Sequence, residues 1–227
     1  MMNILNGKPM LTLPEPKAIL FDWDNTLVDT WPVIHQALNA TMRAMDVPEW
    51  SLAKVKSQVK KSMRDSFPEL FGSNWKKAAD LYQSHYRAIH LAAIAPLPGA
   101  EKMLQAVQQK GLFCAIVSNK RGPSLRLELD HLGWAHYFAV AIGSEDSAHD
   151  KPHAAPVLKA LEATDLKPNA SVWFVGDTII DIECAHLTHC TPILYGDVKT
   201  DGGSYEGWSF ADHVRDHAEL LALIKRH

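Results

Sequence analysis

The chain has 227 residues, of which 47% are hydrophobic and 22% are charged, the composition of an ordinary globular protein. Lysine and arginine number 23 against 26 aspartates and glutamates, so the formal charge is −3 and there is no basic excess for general nucleic-acid binding. The apolar runs are all far shorter than the ~20 residues of a membrane-spanning helix, so we expect no contact with a membrane.

Short apolar runs recur along the chain and alternate with helical patterns. Because parallel strands that are covered on both faces have continuous apolar sequences, we interpret these runs as buried strands. They are Ala18–Phe21, Phe113–Val117, Phe138–Ile142, Val172–Val175 and Ile193–Tyr195. Strands that alternate with helices predict an α/β fold with a parallel sheet.

Residues 31–96 interrupt this alternation, because they contain no convincing strand. Apolar residues recur there at helical spacing in three stretches, 33–45, 52–63 and 78–94. We therefore predict a separate helical lobe, inserted into a core formed by residues 17–30 and 97–227. In an open α/β sheet such a lobe would lie above the carboxyl ends of the strands, where ligands bind.

Polar residues follow four of the predicted strands. Asp22, Asp24 and Thr26 follow the first strand, and Ser118 and Asn119 follow the second. The third strand is followed, after a short loop, by Lys151-Pro152, and the fourth by the segment from Gly176 to Asp181, which includes Asp177. The carboxyl ends of parallel strands share one edge, so these groups are expected to meet in one crevice.

Four carboxylates in one crevice require cations, because they repel one another when all are ionised. Mg²⁺ prefers oxygen ligands and commonly joins one or two carboxylates to a substrate phosphate. One carboxylate can attack phosphorus, and a second carboxylate two residues away can exchange protons with the leaving group and with water. A lysine with serine and asparagine donors can hold the phosphate oxygens.

The motifs FDWDNTLVDT, VSNK, DKP and VGDTIID occur in that order, each at the end of a predicted strand. They closely resemble those of the haloacid dehalogenase-like superfamily, and more narrowly its phosphoglycolate-phosphatase-like branch with a helical cap. The resemblance implies a Rossmann-like three-layer core, an inserted α-helical cap at residues 31–96, and a phosphoric monoester hydrolase. It also implies Mg²⁺ as cofactor and a small phosphate ester as substrate.

The same resemblance assigns roles to single residues. Asp22 would be the nucleophile that becomes aspartyl-phosphate, and Asp24 the general acid and base, with its backbone carbonyl on the metal. Asp177 would ligate Mg²⁺ together with Asp22, and Asp181 would do so directly or through water. The phosphoryl group would be held by Ser118, Asn119 and Lys151, and Asn119 would also orient the site.

A carboxylate at position 24 bears on the reaction type. Dehalogenases of the superfamily lack it, because a halide needs no proton, so Asp24 favours a phosphate monoester as substrate. A phosphomutase of the same fold would carry the same four motifs and stays open as an alternative. A receiver-like signalling module phosphorylated on aspartate also stays open, although such modules are about half this length and have no large helical insert.

Residues in the insert are candidates for substrate selection. Lys60, Lys61 and Arg64 align loosely with the specificity loop of the family's cap and could bind an anionic tail such as a carboxylate. Relatives usually have glycine at the position of Lys60, and also at that of His189, where we expect an effect on local packing. Lys120 and Arg121 follow Ser118 and Asn119 closely, and either could contact substrate, although we expect both at the surface.

The expected location is the cytoplasm. Three cysteines are too few and too scattered for a disulfide framework, which is typical of a reducing compartment. The N-terminal residues lack the basic stretch and apolar core of a secretory signal. No pattern in the sequence indicates an oligomeric state.

Overall fold

The structure, a computed structural model, describes residues 4–5, 8–9, 13–59, 61–197 and 207–227. A six-stranded parallel sheet forms its centre, and its strands are β3 Ala18–Phe21, β6 Phe113–Arg121, β7 Val140–Ser144, β8 Val172–Gly176, β9 Thr191–Tyr195 and β10 Asp212–Val214. Across the sheet these strands lie in the order β10-β9-β8-β3-β6-β7. Two antiparallel pairs stand apart from it, β1 Ile4–Leu5 with β2 Lys8–Pro9, and β4 Val28–Asp29 with β5 Ala95–Pro96.

Helices cover both faces of the sheet. Along β3, Ile19 and Phe21 contact one apolar cluster and Ala18 and Leu20 contact another, because successive side chains of a strand point to opposite faces. The first cluster includes residues of α5 Ala100–Gln109, α6 Gly122–His131 and α9 His217–Arg226, and the second those of α7 Ala155–Leu161 and α8 Ile179–Leu187. The predicted α/β class with a three-layer core is thus confirmed.

The segment between β4 and β5 is helical and has an apolar cluster of its own. Its helices are α1 Trp31–Ala44, α2 Leu52–Gln58, α3 Met63–Phe71 and α4 Trp75–Ala93, with a 3₁₀ turn at Gly72–Asn74. Val33, Leu38 and Met42 of α1 are at most 2% exposed and belong to this cluster together with Phe67 of α3 and Ala78 of α4. We propose to treat residues 31–96 as a cap domain inserted into the core.

The cap is connected to the core by two short strands that lie side by side. Val28 pairs with Pro96, and Asp29 pairs with Ala95, so the chain enters and leaves the cap through one antiparallel pair, β4–β5. Neither strand has an apolar run long enough to be recognised in the sequence. The helical pattern predicted for residues 52–63 is divided in the structure, because α2 ends at Gln58 and α3 begins at Met63.

Other boundaries also differ from the prediction. The strand predicted at 138–142 lies at 140–144, and β6 continues four residues past Val117 through a break in its register with β7. Ser118 and Asn119 therefore lie within the extended end of β6. His189 follows α8 with a φ of 57°, a left-handed conformation that explains why glycine suits this position. Among the described residues, no helix is both long and apolar enough to cross a membrane.

We expect Leu20→Ala to destabilise the protein by about 2–5 kcal/mol, because it removes a side chain that is fully buried in the central strand and leaves a cavity. Urea unfolding would measure the change in the free energy of unfolding. Leu158→Ala is the matched control: Leu158 is 54% exposed on α7, and its substitution should cost less than about 0.5 kcal/mol. Equal losses in the two variants would contradict this account of the core.

Candidate active site

The carboxyl edge of the sheet brings together residues from distant parts of the chain. Asp22 follows β3, Asp177 follows β8, Asp181 lies in the first turn of α8, and Lys151 follows the loop after β7. Lys151 Nζ lies 2.8 Å from Asp22 Oδ1 and 2.6 Å from Asp181 Oδ1, and its side chain is 3% exposed. One buried ammonium thus joins two carboxylates from different motifs.

Carboxylates outnumber the cation at this point. Asp22, Asp177 and Asp181 each offer an oxygen, and these three atoms lie within 4.8 Å of one another. The pKa of Asp22 is raised to about 6, because burial and the charges of Asp181 and Asp24 together outweigh the lowering effect of Lys151. Burial and the charge of Asp22 likewise raise the pKa of Asp177 well above its usual value. A hard divalent cation with oxygen ligands fits this donor set.

Asp181 is fixed by contacts on both of its oxygens. Oδ1 accepts a hydrogen bond from Lys151 Nζ at 2.6 Å. Oδ2 accepts hydrogen bonds from the backbone N–H of Thr178 at 3.0 Å and from its hydroxyl at 2.8 Å. Gly176 allows this close packing, because a Cβ there would lie 2.3 Å from Asp181 Cγ. Asp181 therefore orients the lysine and caps the start of α8 through Thr178, in addition to facing the other carboxylates.

Asn119 holds the backbone of Lys151 through two reciprocal hydrogen bonds. Its amide Nδ2 donates to the carbonyl of Lys151 at 3.0 Å, and its Oδ1 accepts the N–H of Lys151 at 2.9 Å. Ser118 is 3% exposed, and its Oγ accepts the N–H of Lys120 at 3.3 Å. The structure thus brings both members of the second motif next to the lysine of the third.

Asp24 borders the same cavity as Asp22 but is not among the three clustered carboxylates. Its side chain is 21% exposed, and Oδ1 lies 2.6 Å from Lys120 Nζ. Thr26, also of the first motif, donates its hydroxyl to Asp177 Oδ1 at 3.2 Å. Asp22 and Asp24 therefore face the cavity with different partners, one beside the carboxylate cluster and the other beside a second lysine.

Lys120 is not at the surface, and that prediction was wrong. Its side chain is 5% exposed and lies between Asp24, Tyr86 and Glu128. The sequence offered little signal, because Glu128 and Tyr86 lie on separate helices, α6 and α4, and meet only when the cap contacts the core. Arg121 is 34% exposed and pairs with Glu145.

A cavity of about 380 Å³ lies between the core residues and the cap. Its cap side is mainly apolar and includes Trp31, Ile34, Leu38, Trp50, Val59, Met63, Phe67 and Leu70. The core side carries the charged and polar residues of all four motifs. A phosphate ester bound there would meet carboxylates and lysines at one end and apolar side chains at the other.

The three candidate specificity residues in the cap have different positions. Lys61 lines the cavity and lies 3.6 Å from Glu69, while its side chain is 52% exposed. Arg64 lies outside that cavity and forms two hydrogen bonds of 2.6 Å with Asp150, whose side chain is 1% exposed. Arg64 therefore connects α3 to the loop that carries Lys151. Lys60 lies outside the described residues.

Residues 19–194 match the family model of the haloacid dehalogenase-like hydrolases. The chain belongs to the haloacid dehalogenase-like hydrolases. It is 33% identical over 174 residues to a phosphoglycolate phosphatase of Xylella fastidiosa (strain 9a5c), covering 75% of this chain and 76% of the relative. A phosphoglycolate phosphatase of Aquifex aeolicus (strain VF5) is 31% identical over 193 residues, with 81% and 87% covered.

The architecture has solved counterparts. A haloacid dehalogenase-like hydrolase from Streptococcus pneumoniae superposes with a TM-score of 0.80 at 23% identity, covering 92% of this chain and 98% of the other. At that identity the likeness concerns the fold alone. The predicted family and its phosphoglycolate-phosphatase-like branch are confirmed, and the predicted class of enzyme, a phosphoric monoester hydrolase, is the class of these relatives.

We expect Asp177→Asn to stabilise the metal-free protein and to remove its response to Mg²⁺. The raised pKa of Asp177 means that its ionised form is unfavourable in the folded state, so a neutral amide should raise the Tm by about 2–4 °C near pH 7. Thermal unfolding with and without Mg²⁺ would measure both effects. A variant that Mg²⁺ still stabilises as strongly as the parent would contradict the site.

Proposed function

We propose that this hydrolase is a Mg²⁺-dependent cytoplasmic phosphatase that cleaves a small phosphate monoester through an aspartyl-phosphate on Asp22. One observation carries the proposal: Asp22 contacts Lys151 within a surplus of carboxylates and opens, together with Asp24, onto one cavity. The relatives named phosphoglycolate phosphatase support a phosphoglycolate-like substrate.

Asp22 is the nucleophile in this proposal. Lys151 contacts Oδ1, which orients the carboxylate toward the cavity. A carboxylate oxygen of Asp22 forms a bond to phosphorus while the bond from phosphorus to the ester oxygen breaks. Asp24 donates its proton to the departing oxygen, so the alcohol leaves neutral.

Water completes the cycle. Asp24, now ionised, accepts a proton from a water molecule, and the water oxygen attacks the phosphorus of the aspartyl-phosphate. The bond from phosphorus to Asp22 breaks, which releases inorganic phosphate and restores both carboxyl groups. These reaction steps require Asp24 to act first as an acid and then as a base. The position of Asp24 beside the nucleophile Asp22 supports this role.

The remaining motif residues bind the phosphoryl group. Lys151 offers an ammonium, Ser118 a hydroxyl, and Asn119 fixes the lysine from behind. Mg²⁺, held by Asp22 and Asp177 with Asp181 nearby, would supply positive charge against the phosphoryl oxygens. With the cation bound, the raised pKa values of Asp22 and Asp177 would fall, because the ion favours their charged forms.

We expect Asp22→Asn to abolish turnover, by about 10⁴-fold or more, because an amide cannot form the covalent intermediate. The fold should persist, as judged by circular dichroism, since the neutral amide removes a buried charge. The measurement is phosphate release from a panel of monoesters that includes 2-phosphoglycolate. Asp165→Asn is the matched control, because Asp165 is exposed and lies outside the site. Full activity of Asp22→Asn would refute its role as nucleophile.

The same panel separates the alternatives. Repeated release of inorganic phosphate indicates a phosphatase, whereas transfer of the phosphoryl group back to a sugar indicates a mutase. A stable phosphoprotein without turnover would indicate a receiver-like module.

We expect EDTA to stop hydrolysis and added Mg²⁺ to restore it, because the carboxylate cluster needs a cation before it can accept a phosphate dianion. The measurement is phosphate release before chelation, after chelation and after readdition of the metal. Unchanged activity in excess chelator would count against the metal role of Asp22 and Asp177.

A further inference from the structure

Glu128 is a fully buried carboxylate that receives groups from both the core and the cap. Oε1 accepts the hydroxyl of Tyr86 at 2.9 Å and lies 2.7 Å from His90 Nδ1, and both residues belong to the cap helix α4. Oε2 accepts the indole N–H of Trp23 at 2.7 Å and lies 3.1 Å from Lys120 Nζ. Buried carboxylates are rare unless they are paired, so such a set of partners calls for an explanation.

Lys120 connects this carboxylate to the active site. Its Nζ lies 2.6 Å from Asp24 Oδ1, 2.5 Å from the hydroxyl oxygen of Tyr86 and 3.1 Å from Glu128. Burial lowers the pKa of Lys120, but the charges of Asp24 and Glu128 outweigh this effect, and the pKa is raised overall. Lys120 therefore keeps its charge between the side chains of Asp24 and Glu128.

The position of this cluster relates it to the proposed acid and base. Trp23 stands between Asp22 and Asp24 in the sequence, and it is fully buried with its indole on Glu128. Glu128 thus holds the backbone of the first motif through Trp23 and the side chain of Asp24 through Lys120. Tyr86 and His90, four residues apart on one face of α4, add the cap to the same cluster.

We propose that Lys120, supported by Glu128, is a positioning residue that directs the carboxyl group of Asp24 toward the leaving oxygen, and that Tyr86 and His90 make this orientation depend on contact between α4 and α6. This inference rests on the proposed function, because it assumes that Asp24 is the acid and base. An Asp24 side chain that is 21% exposed would otherwise sample several rotamers. Fixing one rotamer would hold the carboxyl group in a single orientation for proton transfer.

The test uses the double variant Lys120→Met with Glu128→Gln. Removing the lysine alone would leave the buried Glu128 without its lysine partner and could prevent folding, whereas the double change removes both charges together. The assay compares kcat/KM for an alkyl phosphate, whose leaving alcohol needs a proton, with that for p-nitrophenyl phosphate, whose leaving phenolate does not. The ratio kcat/KM reports the cleavage of the ester bond and excludes the later attack of water.

We expect kcat/KM of the double variant to fall about 100-fold for the alkyl ester and less than about 10-fold for the nitrophenyl ester, because only the first needs the acid. A residue with a merely structural role would lower both equally. Equal losses for the two esters, or no loss for the alkyl ester, would overturn the proposal. A parent protein inactive on both esters would instead overturn the proposed function.

Two further variants complete the experiment. The control variant Lys159→Met with Glu162→Gln removes an exposed ion pair on the core surface, in which Lys159 Nζ lies 2.5 Å from Glu162 Oε2. It should leave kcat/KM unchanged for both esters. Tyr86→Phe removes a single hydroxyl from the cluster and keeps the fold measurable if the double variant does not fold. It should lower kcat/KM roughly 3- to 10-fold for the alkyl ester only. If the parent and Tyr86→Phe have equal kcat/KM values for both esters, the role proposed for Tyr86 of the cap in orienting Asp24 is contradicted.

Discussion

The contact of Lys151 with Asp22 and Asp181 is the interaction on which the site depends. It joins carboxylates that are 129 and 30 residues away from the lysine in the chain, and it offsets only part of the negative charge collected there. Several local features serve this contact: Asn119 fixes the backbone of the lysine, Thr178 fixes Asp181, and Gly176 leaves room for the aspartate. The remaining excess of carboxylate is the feature that would attract a cation to the site.

Two lysines divide the carboxylates between them. Lys151 contacts Asp22 in the carboxylate cluster, and Lys120 contacts Asp24. Asp22 and Asp24 therefore have different partners, and the chemistry we propose gives the two residues different roles. The partners of Asp22 all belong to the core, whereas those of Lys120 beside Asp24 include Tyr86 of the cap.

Much of the core and of the motif set could be predicted from the sequence. Apolar runs such as Ala18–Phe21 mark buried strands, and in a parallel sheet the residues that follow them must meet at one edge. The cluster around Glu128 could not be found in this way, because its members reach one another only through the packing of α4 on α6. Strands β4, β5 and β10 were missed because each has only two or three residues. The contact of Arg64 with Asp150 could not be predicted either, because the sequence does not reveal the path of the loop that carries Asp150.

The pair of strands β4–β5 has a consequence for how the cap and core can move. Val28 and Asp29 on the way in are bonded to Pro96 and Ala95 on the way out, so the two connections form one ribbon rather than two separate tethers. Because both connections run through this one ribbon, any movement of the cap helices against the core has to be accommodated by residues 28–29 and 95–96 together.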